Sequence, residues 1–202
     1  MALRAKRFIA IVTPSCGRAR LLRRLYESLR RQKVQNFEWV IVDDGSTDET
    51  RDVVGMFSNG MFPITYLRQR HGGKHRAVNL AMRKISNPLT FIVDDDDYLV
   101  PDATQAIAEV YDAYGSDRGL AGCSFLRRSS SGRVNSRPFK DHMVCASYVQ
   151  ARVNRHVMVR TIGDCAEVFA TEVLRGHPFS EFPGEFFIRR MAYGCVSPRN
   201  MT

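Results

Sequence analysis

Phe91-Ile92-Val93-Asp94-Asp95-Asp96-Asp97-Tyr98-Leu99 sets four adjacent carboxylates directly after a β-branched apolar run. Like charges a few ångströms apart repel and raise each other's pKa, and a divalent cation is the usual relief. In an extended backbone residues i and i+2 point to one side, so either Asp94 with Asp96 or Asp95 with Asp97 is expected to converge on one ion. Hard carboxylate oxygens without a neighbouring cysteine suit Mg2+ or Mn2+ better than zinc. The competing reading is a solvated acidic turn leading into the helix expected near Pro101. Open α/β sheets deliver ligand-binding residues to the crevice at their strands' carboxyl ends, which directs attention to the other strand ends.

Upstream, the same strand-then-polar-turn pattern recurs. Phe8–Val12 is a continuous apolar run closed by Thr13-Pro14, and Leu21, Leu22, Leu25 and Leu29 then mark an amphipathic helix to about Gln32. Phe37–Val42 reads as a second strand, ending in Asp43-Asp44-Gly45-Ser46-Thr47-Asp48-Glu49-Thr50. Ser46 or Thr47 is expected to cap a helix carrying Asp48 and Glu49 in its first turn. Capping leaves Asp43 and Asp44 unexplained at the strand's end. Ile64–Leu67 is a third strand, followed by Arg70-His71-Gly72-Gly73-Lys74-His75-Arg76 and a helix marked by Ala77, Leu80, Ala81 and Ile85. Such a loop can hold anionic oxygens with backbone N–H groups and Lys74. His71 and His75 read as a solvated or hydrogen-bonded pair before they read as metal ligands. Four alternations of strand and helix predict a largely parallel sheet with right-handed crossovers.

Downstream, Ile107, Val110, Tyr111 and Tyr114 predict a helix, and Leu120–Leu126 a strand followed by a Ser129–Gly132 turn. Short strands around Val157–Thr161 and Ala166–Phe169 and a helical turn over Thr171–Arg175 complete the pattern. No repeat or linker interrupts it, so residues 1–202 are expected to form a single domain.

Composition narrows the function classes. The 202 residues are 44% hydrophobic, enough for one buried core. Five scattered cysteines, odd in number, read as reduced thiols and not as a disulfide framework or zinc site. The apolar run Phe8–Val12 is too short for a signal-peptide core or a membrane span, so a cytoplasmic location is expected. A net charge of +9 calls for an anionic partner. Nucleic acid is disfavoured, because zinc-finger spacing, RNA-binding aromatic signatures and long basic tracts are missing. Diphosphate groups remain, as does an anionic membrane face that Arg4, Lys6 and Arg7 could touch peripherally.

Thr13-Pro14, VIVDDGSTDET (residues 40–50), HGGKHRAVNLAM (71–82) and IVDDDDYL (92–99) together resemble the family 2 glycosyltransferases, in that family's order and spacing. The likeness covers about residues 8–100. A looser one around GDCAEVFATEVL and Phe182-Pro183-Gly184-Glu185 extends it to about Ile188. It implies the α/β GT-A fold: a Rossmann-like, mixed, mostly parallel sheet flanked by helices, with a nucleotide-sugar-binding half (8–100), an acceptor-side half (101–188) and an atypical tail (189–202). The implied reaction moves a sugar from a nucleotide-sugar to an acceptor hydroxyl with inversion. The donor is a UDP-sugar in preference to a GDP- or dTDP-sugar, the cofactor Mn2+ or Mg2+, and the acceptor a saccharide or lipid-linked molecule of surface polysaccharide or glycoconjugate synthesis.

By the same resemblance Thr13, Pro14 and Arg18 line the base pocket, Asp44 accepts a hydrogen bond from the base, and Lys74 lies near the donor's phosphates or sugar. The family's D-x-D falls on Asp94-Asp95-Asp96, with Tyr98-Leu99 fixing the register; Asp96 is the metal ligand and Asp95 lies near the ribose. The family's acidic base motif is expected after Ile188, where Arg189-Arg190-Met191 stands instead. A frame shift of two bases, with the arginines written AGG, would restore Glu-Asp-Gly-Val-Trp, so a truncated or frameshifted end is one reading. The remaining acidic candidates for the base are Asp164, Glu167, Glu181 and Glu185; Glu181 and Glu185 read as solvated loop charges and Glu167 as a strand-edge charge, which leaves Asp164, after Gly163, as the catalytic-side candidate, for substrate binding. Two other classes compete: an inactive nucleotide-sugar-binding remnant, and a nucleotidyltransferase. The latter would show a glycine-rich basic loop after the first strand, of which Thr13-Pro14-Ser15-Cys16-Gly17 is a poor version.

Overall fold

The four apolar runs of the first half form four parallel strands in the computed structural model, which describes residues 8–57, 61–114, 121–129, 131–134 and 165–185. β1 (Ile9–Ser15) pairs with β2 (Phe37–Asp44) on one side, Ile9 opposite Phe37, and with β4 (Leu89–Ile92) on the other, Ile9 opposite Leu89. β3 (Ile64–Gln69) extends the sheet beyond β2. β6 (Cys165–Ala170) runs antiparallel to β4 and to β5 (Gly122–Leu126), giving the order β3-β2-β1-β4-β6-β5. The sheet is therefore mixed and mostly parallel, as expected. Val157–Thr161 and the tail lie outside the described residues.

The apolar runs Ile9–Val12 of β1 and Trp39–Val42 of β2 follow from burial on both faces. Ile9, Ile11, Trp39 and Ile41 join one core cluster with Leu22, Leu25 and Leu29 of helix α1 (Ala19–Arg30), whose arginines stay on the other side. Ala10, Val12, Val40 and Val42 join the opposite cluster with Ala77, Val78 and Ala81 of α3 (Lys74–Met82). Alternation along the pleat thus assigns each neighbour to a different layer. Tyr26 stacks on Phe57 at 4.3 Å between ring centroids, and Trp39 donates its indole N–H to the Thr13 hydroxyl at 3.0 Å. The Thr13 side chain, read as lining the base pocket, is thus fully buried in this core. Among the described residues the remaining helices are α2 (Thr50–Gly55), α4 (Ala103–Tyr114) and α5 (Thr171–Gly176). Among the described residues no helix is long and apolar enough to cross a membrane.

Capping departs from expectation in an informative way. Ser46 does not cap α2: its Oγ accepts the Gly17 N–H at 2.9 Å, while Asp48 accepts from Thr50 N–H at 3.1 Å and, through its other oxygen, from Ala19 N–H at 3.2 Å. Helix α1 has no side-chain cap of its own at Arg18, and its first N–H, that of Ala19, takes its acceptor from the β2–α2 loop. The loops after β1 and β2 are zipped together as a result. Gly45, at φ +80°, lets the loop after β3 pack against the same turn, since a Cβ there would sit 2.7 Å from the backbone nitrogen of His71.

β2 and β3 lie on one side of β1, and the chain then crosses to place β4 on the other. The carboxyl ends of β1 and β4 therefore flank the switch point where the strand order reverses, the place at which open α/β sheets bind ligands.

Candidate functional site

At that switch point the acidic run does not continue as a strand. β4 ends at Ile92, and the Asp97 N–H donates to the Asp94 carbonyl at 3.1 Å, closing a turn. The two-residue alternation of an extended chain therefore does not apply, and neither expected pair forms alone. Instead Asp94, Asp96 and Asp97 each offer a carboxylate oxygen within 4.8 Å of the others. Asp95 is turned inward, 5% exposed, and accepts from the Ser15 hydroxyl at 2.8 Å and from Arg18 at 3.2 Å. Burial pushes the Asp95 carboxyl above its ordinary pKa, against the pull of Ser15 and Arg18. Asp97, expected from the alternation to pair with Asp95, is left without a role by the D-x-D register, which ends one residue before it; the turn brings it instead beside Asp94 and Asp96.

Each of these three carboxylates faces a cation from a different element. Lys74, at the start of α3, pairs with Asp94, and Arg18, before α1, lies 3.4 Å from Asp96. Arg127, after β5, donates to both oxygens of Asp97. Arg24 donates to the Asp96 carbonyl and lies over the Tyr98 ring at 5.5 Å. Three oxygen donors with no thiolate or imidazole among them fit a hard divalent ion such as Mg2+ or Mn2+.

Asp43 and Asp44 point to opposite faces of β2. Asp43 accepts from the Ser46 N–H at 2.7 Å and from the Tyr66 hydroxyl, and Arg68 lies 3.4 Å away. Burial, then this bond to Asp43, pushes the Tyr66 phenol up to about 12. Asp44 accepts from the N–H groups of Gly72 and Gly73 and from the Gln69 side chain, all at 2.8 Å, with His71 Nδ1 at 3.0 Å. Its carboxylate, expected to meet a base, is occupied by the loop that delivers Lys74. The glycine pair follows from this: Gly73 sits at φ +94°, the left-handed region that favours glycine.

His75 is 3% exposed, and neither ring nitrogen has a hydrogen-bond partner among the described residues. The spacing from His71 leads to the expectation of a solvated or hydrogen-bonded histidine, and among the described residues His75 is neither. Burial, then the Arg76 charge, holds its pKa below the ordinary 6.5. The unfolded chain takes up a proton that the buried imidazole refuses, so stability present above about pH 6.5 is lost as pH falls below it. Thermal unfolding between pH 7.5 and pH 5.5 (roughly one unit either side of the free imidazole value) should show this loss, and His75→Gln should flatten it. Equal slopes would mean that His75 titrates freely.

Segment 178–185 lies along α3. Asn79 donates to the Phe179 carbonyl at 2.9 Å and to Glu181 at 2.7 Å, and Arg76 donates to the Phe182 carbonyl at 2.8 Å. Glu181 is therefore a structural partner of α3. Asp164 and Arg189-Arg190 lie outside the described residues.

A mixed, mostly parallel sheet with an acidic turn at its switch point defines a class of α/β domain, and comparison with known proteins names the family. The model of glycosyl transferase family 2 matches residues 10–171, and the chain belongs to that family. It is 28% identical over 109 residues to the glycosyltransferase GlyA of Streptococcus pneumoniae, covering 54% of this chain and 16% of GlyA. It is 32% identical over 121 residues to validoxylamine A glucosyltransferase of Streptomyces hygroscopicus, covering 58% and 28%. The chain thus spans well under half the length of these curated relatives. Among solved structures, residues 1–349 of TarS from Staphylococcus aureus in complex with UDP-GlcNAc match with a TM-score of 0.66 at 21% identity, covering 86% of this chain and 49% of that one. The mannosyltransferase PcManGT from Pyrobaculum calidifontis, in complex with GDP-Man and Mn2+, matches with a TM-score of 0.62 at 17% identity, covering 88% and 49%. These likenesses establish the GT-A fold.

Proposed function

We propose that this chain binds a nucleotide-sugar, a UDP-sugar first, and transfers the sugar to an acceptor hydroxyl with inversion, assisted by Mn2+ or Mg2+. The observation that carries the reading is the trio Asp94, Asp96 and Asp97 at the switch point, each faced by a cation. Asp96, with Asp94 and Asp97 beside it, would hold the metal, which when bound neutralises charge on the departing diphosphate. Lys74 and Arg18 bind the diphosphate oxygens from two sides. Asp44 fixes the loop that sets Lys74, and Asp95 orients Arg18 by its inward hydrogen bond. Thr13 and Pro14 shape the base pocket through backbone and burial. Asp164 contacts the acceptor, a saccharide or lipid-linked molecule, and the chain's +9 charge favours work at the cytoplasmic side of an anionic membrane. The UDP-GlcNAc bound to TarS and the GDP-Man and Mn2+ bound to PcManGT support a nucleotide-sugar and a divalent metal at fold level.

Calorimetry with UDP, GDP and dTDP, with and without Mn2+, tests the reading. UDP should bind best, and better with metal, because the diphosphate supplies further oxygen ligands. UDP affinity indifferent to Mn2+ would sink the metal-assisted form, and a preference for GDP or dTDP would move the donor class. Binding of UDP-sugars without hydrolysis or transfer would identify the inactive remnant.

A further inference from the structure

We propose that Asp97 belongs to the metal-holding set and that Arg127 is a positioning residue that competes with the ion for it, so that metal uptake is coupled to nucleotide binding. The inference rests on the metal-assisted reading above and extends it to two residues outside the D-x-D register.

Asp97 contributes one of three carboxylate oxygens lying within 4.8 Å of one another, yet both of its oxygens accept from Arg127. An oxygen bonded to a guanidinium offers its lone pair to a cation only after that guanidinium has turned away, and two positive charges at one carboxylate repel. The same holds for Lys74 on Asp94 and Arg18 on Asp96, but those cations are 54% and 51% exposed and screened by water. Arg127 is 24% exposed and Asp97 32%, so this pair is less screened, and one guanidinium nitrogen, Nη2, reaches both carboxylate oxygens. Arg127 is therefore the strongest resident competitor for the ion. Its position comes from β5, which hydrogen-bonds to β6, which in turn pairs with β4, the strand that feeds the acidic turn.

The consequence is a charge exchange. A metal alone must displace Arg127 without compensation. A metal arriving with a nucleoside diphosphate brings extra oxygen ligands for itself and a new anion near the displaced guanidinium. Metal and nucleotide should therefore assist each other's binding, reciprocally, and Arg127 should set the size of that assistance.

The test is Mn2+ binding to the full chain, read from the electron paramagnetic resonance signal of free Mn2+, with and without UDP. Arg127→Met should tighten binding of Mn2+ alone by roughly five- to tenfold and reduce the UDP–Mn2+ coupling by a similar factor. Arg127→Lys, which retains a cation, should stay near wild type and serves as the folding control. Asp97→Asn should weaken Mn2+ binding, and in its background Arg127→Met should have no further effect. If Asp96→Asn weakens Mn2+ binding while Asp97→Asn and Arg127→Met do not change it, the inference fails and the metal-assisted reading stands. Weaker Mn2+ binding in Arg127→Met would also overturn it, by showing that Arg127 organises Asp97 for the ion. If the wild-type chain binds UDP but takes up no Mn2+ with or without it, the metal-assisted reading falls and this inference with it.

Discussion

Asp44→Ala is expected to destabilise the fold by about 3–5 kcal/mol, because it removes the acceptor of two buried backbone N–H groups and of Gln69, at about 1–3 kcal/mol for each buried donor left unpaired. Against a typical domain stability of about 5–15 kcal/mol this is a large fraction. Urea unfolding of Asp44→Ala and Asp44→Asn measures it. Asn keeps one carbonyl acceptor and should lose less. The same change should weaken nucleotide binding, since the loop that Asp44 holds delivers Lys74 to the acidic turn. A residue acting only by reading the base would behave otherwise: affinity would fall roughly ten- to a hundredfold, the worth of one hydrogen bond to a charged group, with stability unchanged. A loss of stability below about 1 kcal/mol, the net worth of one ordinary hydrogen bond, would show that the loop is held by other contacts.

Asp96→Asn should lower metal-dependent sugar transfer, or donor hydrolysis where no acceptor is known, by at least about 100-fold, the usual effect of removing one group that stabilises charge developing on the leaving group. Asn preserves the size of the side chain and the turn, whose closing hydrogen bond joins the backbones of Asp97 and Asp94. Thermal stability should therefore change little. Steady-state rates across a Mn2+ series separate two outcomes. A rate restored by high Mn2+ means that Asp96 serves affinity for the ion; a rate that stays low at saturation means that it also positions the ion against the diphosphate. An unchanged rate and unchanged metal dependence would remove Asp96 from the ligand set and leave Asp94 and Asp97.

The amino-acid sequence by itself determined the scaffold and the neighbourhood of the site. The continuous apolar run Phe8–Val12 and the run Phe37–Val42, interrupted only by Glu38, are strands buried on both faces, and Leu22, Leu25 and Leu29 repeat at the period of a helix covering one of those faces. Local regularities of this kind depend on a few neighbouring residues, which is why β1 to β4 and the helices between them were legible, and why the acidic stretches fell at strand ends. The roles of individual side chains within those stretches were decided by tertiary structure. Asp95 faces inward because Ser15, 80 residues away, and Arg18, 77 away, wait across the switch point that exists only once β4 inserts beside β1. Asp48 bonds α1 as well as Thr50 of α2, and Ser46 bonds the loop before α1, because Ala19 and Gly17 each lie 29 residues away in sequence but adjacent in space. Asp44 is held by Gly72 and Gly73, and Asp97 by Arg127 at the end of a strand that reaches β4 only through β6. A buried carboxylate takes whichever donors the sheet order brings to it, and periodicity along one segment carries no record of that order.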